Sequence, residues 1–197
     1  MSSNQNTEPE RNIIEFFNIK TFVKIKPAFN IGKIVFCFVE MNPTTKAAVT
    51  PIDCYMDIED AALLAKKITT GRMYQLIEKE RAKGEQYPAA IWQSTLGGVS
   101  EEKAKIKGLR TDGRAVSRYF TISPGSSKYA VITAITCAGD TNEKGLIVPD
   151  AKDKNKKAVR VAMASHDELE KLGIMLEAAV NAYMCCYVCG ARKQTVN

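Results

Sequence analysis

Three arginines at every fourth position, Arg110, Arg114 and Arg118, lead into the stretch AVSRYFTI, in which Tyr119 and Phe120 follow directly. Guanidinium groups beside aromatic rings suit phosphate neutralisation combined with base stacking. The same pattern also describes a solvated strand edge. Tyr119 and Phe120 have opposite parity on a strand, so one of them points inward. Phe120 shares parity with Val116 and Ile122, which predicts a core Phe120 and an exposed Tyr119.

Other basic residues gather in groups. Lys103, Lys105 and Lys107 join the arginines, and Lys152, Lys154, Lys156, Lys157 and Arg160 form a second cluster. Lys20, Lys24, Lys26, Lys33 and Lys46 are scattered over the first apolar segments, and Lys128 follows the turn SPGS. Phe29, Trp92, Tyr119 and Tyr129 are the aromatics that could stack on bases. The net charge of +6, from 28 basic and 22 acidic residues, is a mild excess that fits a phosphate-bearing partner without requiring one.

Competing chemistries find less support. Asp53 and Asp57 in DCYMDIED share parity and, with Glu59 and Asp60, could hold Mg²⁺ as nucleases do. Against this, capping explains Asp57 and Asp60, the helix dipole explains Glu59, and no second acidic cluster accompanies them. His166 is the single histidine and falls in the first turn of a helix. No nucleophile motif and no phosphate-cradling glycine loop is present. Cys186 and Cys189 form one C-x-x-C at a helix end, where the dipole opposes thiolate formation, and no second pair completes a zinc site. No catalytic residue, metal or cofactor is therefore expected.

The elements that must position the basic groups follow from periodicity. Alternation predicts a strand at 20–26, a second, more deeply buried strand follows at 32–42, and a third at 46–57, with Pro51 marking an edge or bulge. Asp57 caps a helix whose apolar face is Ile58, Ala61, Ala62, Leu64, Ala65 and Ile68, and a second helical piece ends at Gly84. A strand over 88–95 and a mobile basic loop come next. Strands return at AVSRYFTI, KYAVITAITC, LIVP and AVRVAMA. Ser165 and Glu168 form a capping box at the head of a helix running to about Val188, stopped by Gly190.

The chain reads as a disordered leader over 1–12, one α+β domain over 13–190 and a flexible tail over 191–197. Two antiparallel sheets and a long C-terminal helix are expected, with strands-then-helix halves at about 18–84 and 85–190 suggesting a degenerate duplication. No secretory signal or membrane-spanning run is visible, which points to the cytoplasm and reduced thiols.

This order of elements resembles the whirly family of single-stranded nucleic-acid-binding proteins. TTKAAV, at Lys46, Ala47, Ala48 and Val49, is similar to the family's Lys-Gly-Lys-Ala-Ala-Leu motif, departing from it at Thr44 and Thr45. RVAMASHDELEKLGIMLEAAVNAYMCCYVCG is similar to the closing strand, cap and long helix, Ser165 and Glu168 matching the cap. The resemblance implies two antiparallel four-stranded sheets packed like blades, a homo-oligomer (commonly a tetramer), and binding through Lys46 and the sheet edges. Lys33, Arg114, Arg118 and Tyr119 would be counterparts by position. The chain is also similar to uncharacterised proteins of bacterial mobile elements.

The expected function is non-catalytic binding of single-stranded DNA or RNA with little sequence preference. The candidate residues are Lys33, Lys46, Trp92, Lys107, Arg110, Arg114, Arg118, Tyr119 and Lys128. The rival readings are a protein-interaction or inhibitor module of a mobile element and a Mg²⁺-dependent nuclease.

Overall fold

The computed structural model describes residues 12–45, 47–49 and 51–188. Lys46, Cys189, Gly190, the tail and all of the leader but Asn12 lie outside the described residues.

Four short apolar runs form an antiparallel meander: β1 (Ile14–Phe17), β2 (Thr21–Ala28), β3 (Lys33–Glu40) and β4 (Ile52–Asp57), paired in that order. Alternation puts Val23, Ile25, Ile34, Phe36, Phe38, Ile52, Cys54 and Met56 on one buried face. The chain then enters α1 (Ile58–Thr69) and α2 (Arg72–Arg81). A second antiparallel sheet follows. It is built on β7 (Ala115–Pro124), β8 (Ala130–Thr141) and β10 (Lys157–Met163), in the order β10-β8-β7. Short strands extend it: β5 (Trp92–Gln93) and β6 (Gly97–Val99) pair with β7, and β9 (Ile147–Pro149) pairs with β8. The last helix is α4 (His166–Tyr183), continued by a π-turn over Met184–Val188.

The architecture is thus α+β with two antiparallel sheets, each leading directly into a helix. One hydrophobic cluster takes residues from both sheets and from α1, α2 and α4. Phe120 joins the sheets: it is fully buried, with ring centroids 4.5 Å from Phe36, 5.7 Å from Phe38 and 5.2 Å from Trp92. Its inward parity is as read from the sequence. The helices α1 and α4 pack on each other, and Gly173 permits the approach: a Cβ there would lie 2.6 Å from Ile68 Cγ2.

Several sequence expectations need correction. The strand over 46–57 begins only at Ile52, because Val49 and Asn42 close a hairpin with Glu40 and Ala47 before Pro51. The strand over 88–95 shrinks to Trp92–Gln93. Pro88 offers no N–H, and Ser94 Oγ accepts the Phe120 N–H at 3.0 Å. The mobile basic loop contains a helix, α3 (Glu101–Ile106), whose first turn carries Glu101 and Glu102, favourable to its dipole. Neither expected side-chain cap bond forms. Asp57 sits at the N-cap of α1 but accepts from Lys33 Nζ at 2.5 Å, and Ser165 makes no cap bond while Glu168 accepts the Ala164 N–H at 2.5 Å.

Candidate functional site

The three arginines have different fates. Arg110 donates Nε to Asp112 at 2.8 Å and Nη1 to Asp153 at 2.9 Å. Arg114 donates Nη1 to Asp150 and Nη2 to Asp140, both at 2.8 Å. Each guanidinium thereby clasps two carboxylates. Asp112 is held well below the usual carboxylate range by Arg110, and Asp150 is lowered by Arg114. Asp153 falls to about 2 because it accepts the N–H groups of Ala138 and Asn155 as well as Arg110. Guanidiniums already paired this way have little capacity left for a phosphate. The partners lie up to 43 residues apart, at Asp153, so the clasps tie the 108–114 and 150–156 loops together.

Arg118 is not clasped. It lies on the inward face of β7, beyond Phe120, where the apolar core stops. The ladder sets it opposite Thr136 of β8, which is opposite Lys157 of β10, so the three side chains form one cross-strand row. This row faces a cleft of about 610 Å³ between the sheets, lined on the other side by Glu40, Val49, Pro51 and Ile52. The nearby Cys54 thiol is pushed up to about 12 by burial, with Arg118 opposing the shift.

The remaining sequence candidates are dispersed. Lys33 pairs with Asp57. Trp92 packs on the core against Phe120. Lys107 is exposed at the end of α3. Tyr119 is half-buried on the outward face of β7, its hydroxyl pKa raised by burial and by Cys137. The acidic stretch does not converge either, since Asp57 binds Lys33 and Asp60 accepts from Thr95. His166 meets the stacked Tyr74 and Tyr129 rings edge-on, each ring centroid 5.4 Å away.

Lys128 belongs to a different surface. The β1–β2 turn, the β7–β8 turn and the edge strand β10 border a groove of about 830 Å³. Phe17, Ile19, Lys20, Lys128 and Arg160 line it, and no carboxylate does among the described residues. Lys20, Lys128 and Arg160 form no ion pair with any described carboxylate.

The groove has fixed walls. Thr21 Oγ1 donates to the Arg160 carbonyl at 2.7 Å, joining the sheets at its base. Arg81 donates to the carbonyls of Lys128 and Tyr129, at 3.0 and 2.7 Å, and lies over the Tyr129 ring at 5.0 Å. Gly125 is required in the turn, because a Cβ there would meet the Lys128 carbonyl oxygen at 2.5 Å. The Lys128 backbone is pinned while its side chain stays exposed.

Phe17 is 62% exposed and Ile19 is 92% exposed. Phe17 continues into Phe22 at a centroid distance of 5.4 Å, and Lys24 lies 5.7 Å from the Phe22 centroid. Sequence reasoning counted Lys20 and Arg160 among the basic groups but missed Phe17. Its signal was an aromatic pair, Phe16 and Phe17, of which only one could face the core.

Comparison with known proteins gives no matching family model, no matching curated protein and no matching solved structure. The whirly resemblance rests on the residues quoted for it. Among the described residues no helix is long and apolar enough to cross a membrane.

Proposed function

We propose that the chain binds single-stranded nucleic acid, without catalysis and with little sequence preference, along the groove between the β1–β2 turn, the β7–β8 turn and β10. The observation that carries this reading is the groove lining: Lys20, Lys128 and Arg160 without a carboxylate, beside exposed Phe17. Cations along a surface release counterions from a phosphate backbone. An exposed ring stacks on any base, which gives affinity without sequence reading. The Phe17–Phe22 pair extends the aromatic surface onto the outward face of the first sheet. A cytoplasmic setting and a homo-oligomer of the whirly kind go with this reading.

The test is fluorescence anisotropy of a labelled mixed-sequence single strand of roughly 30 nucleotides against the matching duplex, at low and moderate salt. The expected result is salt-sensitive preference for the single strand, weakened by Lys128→Ala with Arg160→Ala. Absence of binding to either nucleic acid at low salt would overturn the proposal. It would favour the rival reading as a protein-interaction module, whose apolar interface tolerates salt.

A further inference from the structure

The Arg118 cleft shares no lining residue with the groove. Arg118 Nε is buried and has no hydrogen-bond partner, and among the described residues the side chain enters no ion pair. A partly buried guanidinium with no carboxylate against it is costly, so an anion in the cleft beside it is favoured. Thr136 and Lys157 stand beside it in the same row, adding a hydroxyl and a second cation.

The charges lining the cleft are Arg110, Arg118 and Lys157 against Glu40 and Asp112. Arg110 and Asp112 are engaged with each other, which leaves two cations facing one carboxylate. That balance suits a single anionic head, and Glu40 disfavours a polyanion. The rest of the lining is largely apolar, with Ile52 and Pro51 across from Val116 and Val159. The volume of about 610 Å³ falls within the size range of small-molecule sites.

We propose that this cleft is a binding site for a small organic anion, a phosphate monoester or carboxylate carried on an apolar body. The head accepts from Arg118, with Thr136 and Lys157 flanking it, and the body lies against Val116, Val159 and Ile52. The site is independent of nucleic-acid binding in the groove.

The test is an NMR titration of the isotope-labelled full chain with phenyl phosphate and with benzoate, phenol serving as the uncharged control. Both anions are expected to move the Arg118 Nε–Hε signal and the Thr136 and Lys157 amides. Phenol is expected to bind about tenfold more weakly or less, as befits loss of a charge-assisted hydrogen bond. Arg118→Gln is expected to weaken both anions by about tenfold or more. Should that variant fail to fold, Lys157→Ala removes an exposed side chain and is expected to cost about threefold. The proposal is overturned if neither anion shifts these signals at millimolar concentration, or if affinity is unchanged in the folded variants. It is also overturned if the shifts centre on Lys128 and Arg160, which would instead report anion binding to the groove.

Discussion

Arg110 and Asp153 meet at 2.9 Å with only 11% and 5% of their side chains exposed. Asp153 also accepts the Ala138 N–H at 2.6 Å, so one carboxylate anchors both β8 and the loop ahead of β7. Removing one partner of a sealed pair strands the other charge. Asp153→Asn is therefore expected to lower the melting temperature more than Asp140→Asn, because the Asp140 side chain is 75% exposed. Thermal unfolding of the two variants side by side checks the order. Equal losses would mean that the Arg110 pair carries no more stability than a surface pair.

The same clasps set an acid limit. Asp112, Asp150 and Asp153 bind protons more weakly in the folded chain than in the unfolded chain, where Asp titrates near ~3.9. Their contribution is complete above that value and disappears as pH falls through the folded pKa values, which for Asp153 is about 2. Denaturant midpoints are expected to be flat in this respect from neutral pH to about pH 5 and to fall steeply below about pH 4. Asp153→Ala is expected to flatten that fall. An unchanged acid slope in the variant would exclude the clasp as its source.

The core was legible because it is periodic. Alternation in β2, β10, most of β3 and the second half of β7 identifies the buried face, and Phe120 needed only its parity with Val116 and Ile122. The helical stripe of α4, with Leu169, Leu172 and Leu176, was equally plain. The site was less legible. Arg110, Arg114 and Arg118 look equivalent in sequence, and what separates them is the approach of Asp140 from the end of β8 and of Asp150 and Asp153 from the loop before β10. The Arg-x-Asp spacing at Arg110 and Asp112 was the one local hint. α3 was hidden because Ala104 is its only buried residue, which leaves no apolar stripe.

Gly173 gives a prediction on packing. A methyl group there would overlap Ile68, whose Cγ2 and Cβ lie 2.6 and 2.8 Å from the added atom. Gly173→Ala is expected to destabilise by about 1–3 kcal/mol through overpacking, despite the higher helix propensity of alanine. Ile68→Ala in the same chain is expected to recover part of that loss, so the two changes are non-additive. A double-mutant cycle by urea unfolding measures the coupling. Simple additivity would show that α1 and α4 relax apart freely.

The groove and the clasps make opposite predictions for nucleic-acid binding. Arg114 is committed to Asp140 and Asp150, whereas Lys128 and Arg160 form no ion pair with a described carboxylate. Each free cation that neutralises a phosphate contributes about 0.7 to the salt slope for a single strand. Lys128→Ala and Arg160→Ala are each expected to reduce the slope of log affinity against log salt by about that amount. Phe17→Ala is expected to weaken binding by about 1–3 kcal/mol while leaving the slope unchanged, since stacking releases no counterion. Arg114→Ala is expected to leave the slope at its original value in the folded protein. Anisotropy titrations of the four variants across a salt series separate these outcomes. A slope that falls for Arg114→Ala but not for Lys128→Ala would move the phosphate path from the groove to the β7 approach.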